Sequence, residues 1–455
     1  MRHLPFSASF RHPVSVCAVA IVATLLPAAP SAWAEALLLV EADSGKVLHA
    51  ENATHPWHPA SVTKLMTAYV TLRAIKDHRL GMDTLLTVSP SAMAQQPSKM
   101  GFKVGIQVTV DNALKMMMVK SANDMAVVLA EGVSGSVEKF AAEMTRTARQ
   151  LGMTQTNFVN PNGLPADEQV TSARDLAMLA RALVRDFPEH ELYWRIPAIR
   201  FGRRVMANHN PLIDRYPGAD GMKTGFICAS GFNLVATATH GNKRLIAVVL
   251  GAPSSAVRTE KVVQLFEKGF NNGAFSWLLP SLGTVDALKP VDAPPPDLHE
   301  EVCGKNRHRP AETAEEEAPP SNDPDPSSAY ATLQGLRGKS AKAAALLGPL
   351  VPSMPPVVVF VGPPKKPGNP EAALVKAVPR AGRKPKPANA AKAAPAIAKP
   401  AKPKPGQTSA APTSVPPPPI SAASTAPASG HLFNPAPTLS PNALAVPAAS
   451  PGPKP

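Results

Sequence analysis

The sequence predicts an α/β (α+β) fold: an antiparallel sheet flanked by helices, with a helical subdomain inserted and a long disordered C-terminal tail. Three observations carry this. Strand-like hairpins stand near both ends of a segment of ordinary globular composition. Helical patterns fill the space between them, an order that favours a sheet closed by N- and C-terminal strands. Proline and charge then set the segment's limit. Of 53 prolines in 455 residues, 17 lie before residue 291 and 36 after it, and beyond Glu371 there is no Asp or Glu but ten Lys or Arg. Such composition cannot pack a core.

The elements follow in chain order. Arg2 and Arg11, the apolar run Val14–Leu26 and the small residues Ala32 and Ala34 form an export signal in residues 1–34, with cleavage expected after Ala34. An uncleaved anchor fits less well, because the run is short for a bilayer and ends at Pro27. Residues 36–50, ALLLVEADSGKVLHA, form a hairpin around Asp43-Ser44-Gly45. SVTKLMTAYVTLRAIKD places Val62, Leu65, Met66, Tyr69 and Leu72 on one helical face. DNALKMMMVKSANDMAVVLAEGV and VEKFAAEMTRTARQLGM are helical, and TSARDLAMLARALVRDF is helical behind a Thr/Ser cap. Residues 233–250, NLVATATHGNKRLIAVVL, give a second hairpin at His240-Gly241-Asn242. The domain therefore spans 35–285. Residues 286–370 read as an acidic, Pro-rich linker with little structure (a weak helix at 335–349, a short strand in VVVFV at 357–361), and 371–455 as a basic Pro/Ala/Lys tail.

The basic balance belongs to that tail. Removing Arg2, Arg11 and the ten tail cations from the formal net charge of +14 leaves +2 for residues 35–371. A basic nucleic-acid-binding domain is thereby excluded. The tail reads as a solvated spacer or as an electrostatic contact with an anionic cell-wall or membrane surface. His55, His58, His209 and His240 are scattered without metal-ligand spacing, so neither metal nor cofactor is expected. Export permits disulfides; Cys228 and Cys303 are either two buried thiols or a bonded pair.

Three short motifs carry chemistry. Ser61 and Lys64 stand three residues apart at a helix start, on one face. A serine needs a base within reach, and a lysine serves only when neutral. A capped helix with a solvated lysine is the plainer reading of that pair alone. Ser121-Ala122-Asn123 offers a hydroxyl relay and an amide that can hold a peptide, or simply a turn between helices. Lys223-Thr224-Gly225 offers a cation, a hydroxyl and a residue that lets a ligand backbone approach, or simply a surface turn.

Together, in the order S-x-x-K, S-x-N, K-T-G, these motifs have the arrangement of penicillin-binding proteins and class A β-lactamases. The chain resembles the serine D-alanyl-D-alanine carboxypeptidases, the low-molecular-weight penicillin-binding proteins. The likeness runs over about residues 35–275, through LLVEADSGKVLHAENA, HPASVTKLMT, SANDMAVVLAE, TNFVNPNGLP, HNPLIDRYPGADGMKTG and RLIAVVLGAPSSAVR. It implies the penicillin-binding, serine β-lactamase-like fold. It also implies that Ser61 is acylated by a D-Ala-D-Ala bond, Lys64 takes its proton and Ser121 relays one to the leaving D-alanine. Lys223 would hold Ser121, Asn123 bind the peptide, and the backbone N–H groups of Ser61 and Phe226 form the oxyanion hole. Thr224 and Arg258 would take the terminal carboxylate, unless Arg258 is only a solvated helix-start residue. The implied partners are peptidoglycan stem peptides and inhibitory β-lactams, with no nucleic acid, in the periplasm.

The chain departs from that family at Ile227, where many members carry a hydroxyl residue, and at Thr145, where many carry Asn. Neither the small β-rich domain nor the anchoring helix of many members is visible. A D,D-endopeptidase of cross-linked peptidoglycan and a non-catalytic penicillin-recognising protein remain alternatives. A β-lactamase is disfavoured, because position 122 is Ala and no deacylating Glu context is visible.

Overall fold

The computed structural model describes residues 35–271, 281–305 and 347–363. β1 (Ala36–Glu41) and β2 (Val47–Glu51) pair antiparallel across the Asp43-Ser44-Gly45 turn, where Gly45 takes φ +70°. A 3-10 turn at Ala60–Thr63 runs into α1 (Lys64–Lys76). Then come β3 (Leu85–Thr87), α2 (Pro90–Ala94), β4 (Gln107–Thr109), α3 (Val110–Val119), α4 (Asn123–Ser134), α5 (Val137–Gln150) and α6 (Ala173–Asp186). A short α7 (Leu192–Arg195) and the hairpin β5 (Ala198–Phe201)–β6 (Arg204–Ala207) lead to β7 (Ala219–Ile227), β8 (Gly231–His240), β9 (Lys243–Ala252) and α8 (Ser255–Phe270). α9 (His299–Val302) and β10 (Val357–Val359) complete the described elements.

Local chemistry explains the helix starts. Ser89, Thr109, Ser136, Ser172 and Ser254 each accept a backbone N–H of the first turn they precede, opening α2, α3, α5, α6 and α8. Each such cap stabilises its helix by about 1 kcal/mol. α4 ends on Gly135 at φ +79°, the left-handed position that glycine occupies without steric cost.

The main sheet has the order β2-β1-β9-β8-β7, antiparallel throughout, so the N-terminal hairpin and the C-terminal strands meet at β1 and β9. Alternation along the strands separates two cores. Leu38 and Val40 of β1, and Ile246 and Val248 of β9, face the large core shared with the helical region. Leu37 and Leu39, Leu245 and Val249 face α8, where Val262 and Phe266 cover them.

α1 differs from the one-sided pattern expected of it. Leu65, Met66, Ala68, Leu72 and Ala74 are all fully buried, and so are Thr67 and Thr71. The helix is enclosed by α3, α4, α5 and α6. A helix buried all round needs its hydroxyls satisfied internally. Thr67 donates to the Pro161 carbonyl at 2.5 Å, and Thr71 to the Thr67 carbonyl at 2.8 Å.

Where it is described, the region expected to be a linker with little structure packs against the domain, and the short strand expected in 357–361 is present as β10. Val285, Leu298 and Val359 are buried in the main core. Val285 N donates to the Gly45 carbonyl and Leu298 N to the Ala229 carbonyl. β10 adds in parallel to β5, and Phe360 N donates to Asn112 Oδ1 at 3.2 Å. Sparse apolar residues in a Pro-rich stretch thus suffice to dock it. Residues 335–346 of the expected weak helix, the signal segment and the tail from 371 lie outside the described residues. Among the described residues, no helix is long and apolar enough to cross a membrane.

Candidate active site

Ser61 lies in the 3-10 turn and Lys64 begins α1, so the pair is one tight turn apart rather than within one α-helix. Lys64 Nζ stands 2.8 Å from Ser61 Oγ, 2.7 Å from Asn123 Oδ1 and 2.7 Å from the Asn162 carbonyl. Lys64 is fully buried and Asn123 is 3% exposed. This geometry suits a base. In a neutral amine, two N–H bonds serve Asn123 and Asn162, and the lone pair is left for the Ser61 hydroxyl hydrogen.

Each partner is held from behind. Asn123 is the first residue of α4, and its Nδ2 donates to the Gln96 carbonyl at 2.9 Å. Asn162 Nδ2 donates to Gln95 Oε1 at 2.7 Å. Ser121 is buried in the break between α3 and α4 with φ +59°. A non-glycine residue in that region carries strain of about 1 kcal/mol or more, and such outliers cluster at functional sites.

β7 forms the opposite wall, at the edge of the sheet. A methyl group on Gly225 would stand 2.9 Å from Ser61 N and 3.0 Å from the Pro59 carbonyl, so the strand runs directly against the turn that carries Ser61. Lys223 and Thr224 are both buried, and Lys223 Nζ donates to the Thr224 carbonyl at 3.0 Å. Phe226 is 41% exposed, with its ring 4.3 Å from that of Phe232. Arg258 is buried rather than solvated. Its Nη1 donates to the Asn233 carbonyl at 3.5 Å, and its guanidinium lies 5.9 Å from the Phe232 ring centre.

The structure thus brings Lys64 into direct contact with Ser61 and Asn123 and lays Gly225 against the turn that carries Ser61. Ser121 enters two residues before Asn123, and Lys223 two before Gly225. Cys228, just past this strand, is joined to Cys303 in a disulfide, with Cα atoms 5.6 Å apart. At Thr145 the hydroxyl accepts from Phe158 N and donates to the Phe158 carbonyl, keeping the chain anchored there.

Other residues of the site carry no motif. Asn162 supplies a backbone carbonyl, which the sequence cannot advertise. Gly163 (φ +81°) lies so near the turn that a Cβ would meet the Ala60 carbonyl oxygen at 1.8 Å. Buried Asn233 donates to the carbonyls of His58 and Pro59 at 3.0 and 3.1 Å and accepts from Gly251 N at 3.0 Å, tying β8, β9 and the approach to Ser61. Gln169 Nε2 donates to Thr63 Oγ1 at 3.1 Å. The Asn-Pro-Asn-Gly turn signal at 160–163 was the one visible hint.

The family model described as D-alanyl-D-alanine carboxypeptidase matches residues 24–254, half of the chain. The chain belongs to the D-alanyl-D-alanine carboxypeptidase family. Within the family, it is 39% identical to DacC of Escherichia coli (strain K12) over 249 residues, 53% of this chain and 62% of that protein. It is 36% identical to DacD of Salmonella typhimurium over 288 residues, covering 62% of this chain and 74% of the relative. It therefore spans a little under two thirds of some curated relatives. Among solved structures, penicillin-binding protein 6B from Escherichia coli superposes with TM-score 0.51 at 36% identity, covering 55% of this chain and 81% of that one. Penicillin-binding protein 5 from Haemophilus influenzae gives TM-score 0.51 at 36% identity over 53% and 72%.

Proposed function

We propose that this chain is a serine-type D-alanyl-D-alanine carboxypeptidase that removes the terminal D-alanine from peptidoglycan pentapeptides and is acylated by β-lactams. The observation that carries the reading is Lys64 Nζ seated among Ser61 Oγ, Asn123 Oδ1 and the Asn162 carbonyl. Ser61 Oγ attacks the carbonyl carbon of the D-Ala-D-Ala bond, and its proton passes to Lys64. Backbone N–H groups of Ser61 and Phe226 take the oxyanion. The C–N bond breaks as Ser121, held by Lys223, passes a proton to the departing amine. Asn123 binds the peptide, and Thr224 and Arg258 take the terminal carboxylate. Water then hydrolyses the ester on Ser61. No step calls on a metal or cofactor.

The export signal read in residues 1–34 supports a place in the periplasm. There the basic tail acts as a spacer or contacts an anionic wall or membrane surface; equal salt-dependent retention on cell walls of the full chain and a truncation at Glu371 would sink the contact. Mass spectrometry of pentapeptide muropeptides tests the reaction. Loss of one D-alanine is expected; cleaved cross-links would make it an endopeptidase, and no change a non-hydrolysing binder. A fluorescent penicillin adduct should vanish in Ser61→Ala.

A further inference from the structure

Asp124 is fully buried, adjoins Asn123, and has no part in the reaction as written. Its Oδ2 accepts from Gly101 N at 2.9 Å, and its Oδ1 from Met100 N at 3.1 Å and Met125 N at 2.9 Å. Burial pushes its carboxyl upward from the usual range, while these N–H groups pull it back. A buried carboxylate is retained at a cost unless its acceptors are used, and here they fasten one stretch of chain to the start of α4.

That stretch, residues 95–101, reaches the site at four points. Gln95 Oε1 accepts from Asn162 Nδ2, and the Gln96 carbonyl accepts from Asn123 Nδ2. The Ser98 carbonyl accepts from Asn123 N at 2.7 Å, and Ser98 Oγ donates to the Lys120 carbonyl at 2.8 Å. Both asparagines so held are the ones that grip Lys64 Nζ. We propose that Asp124 is a positioning residue, which locks residues 95–101 onto α4 so that Asn123 and Asn162 aim the Lys64 amine at Ser61. The proposal rests on the reading of Lys64 as the base.

Asp124→Asn tests it with almost no change of shape. The amide oxygen can keep Met100 and Met125, but its NH2 group then faces Gly101 N–H, donor against donor, and the loop is released at that end. The readout is the second-order rate of Ser61 acylation by a fluorescent penicillin, with thermal unfolding followed in parallel. Loss of one such bond should slow acylation about tenfold. If Asp124 acts through Asn123, the same change in an Asn123→Ala background should cost less than about twofold, the non-additivity expected of coupled residues. Ser98→Ala, which leaves Asp124 paired, should slow acylation by a smaller factor and serves if Asp124→Asn does not fold. Wild-type acylation by Asp124→Asn, or the same factor in both backgrounds, overturns the positioning role. Absence of labelling in the wild type would instead refute the proposed function beneath it.

Discussion

Replacing Gly163 by alanine should disable the site without touching any group that reacts. Two costs follow from the geometry. At φ +81° an alanine carries left-handed strain of about 1–2 kcal/mol. Its Cβ would also meet the Ala60 carbonyl oxygen at 1.8 Å and Thr63 Oγ1 at 2.9 Å. Relief to an ordinary contact requires the Gly163 loop and the Ser61 turn to separate by more than about 1 Å, a misplacement that costs on the order of 100-fold in rate. The same loop brings the Asn162 carbonyl to Lys64, so the separation also pulls that acceptor away from the Lys64 amine. Acylation by a fluorescent penicillin should fall by that order, while circular dichroism still reports a folded protein melting several degrees lower. Acylation within threefold of wild type would refute the claim that this contact sets the Ser61 geometry.

Asn233→Ala removes three buried hydrogen bonds, to the carbonyls of His58 and Pro59 and from Gly251 N. It should cost about 3 kcal/mol and slow acylation, read by thermal unfolding and adduct kinetics. Burial first, and then the hydrogen bond to Asp186, push the Tyr69 phenol to about 12 from 10. Its contribution is therefore complete below pH 10 and lost as pH rises toward 12, so Tyr69→Phe should melt with a flatter alkaline dependence than wild type; parallel curves would count against it. Replacing Cys228 and Cys303 together by alanine opens a link across 75 residues, worth about 4 kcal/mol by loop entropy. Melting should fall by about 10 °C, and reductant should affect only the wild type.

What the sequence made legible was local. Ser61 and Lys64 announce themselves because one turn places residues three apart together, and both hairpins because Gly45 and Gly241 punctuate apolar runs. Gly225 was readable as a place of close approach, though not what approaches. The illegible part of the site is made of backbone groups and long-range ties. The carbonyls of Gln96, Ser98 and Asn162 have no residue-type signature. Asn233 lies 175 residues from His58, whose carbonyl it holds, and nothing local marks that pairing. Asp124 has the place of an ordinary first-turn acid of α4, so its residue type does not mark the ties it makes. The β5–β6 hairpin also escaped notice, because its strands are short and its tip, Gly202-Arg203, sits among charges rather than between long apolar runs.

The Cys228–Cys303 bond encloses most of the strands that follow the catalytic edge, together with α8 and the stretch 272–280. A protease that cuts once anywhere within that loop would leave one covalent molecule. The nucleophile-bearing half and everything beyond Cys303, tail included, would migrate together until a reductant was added. Under oxidising conditions, a nicked chain therefore keeps its two pieces covalently joined.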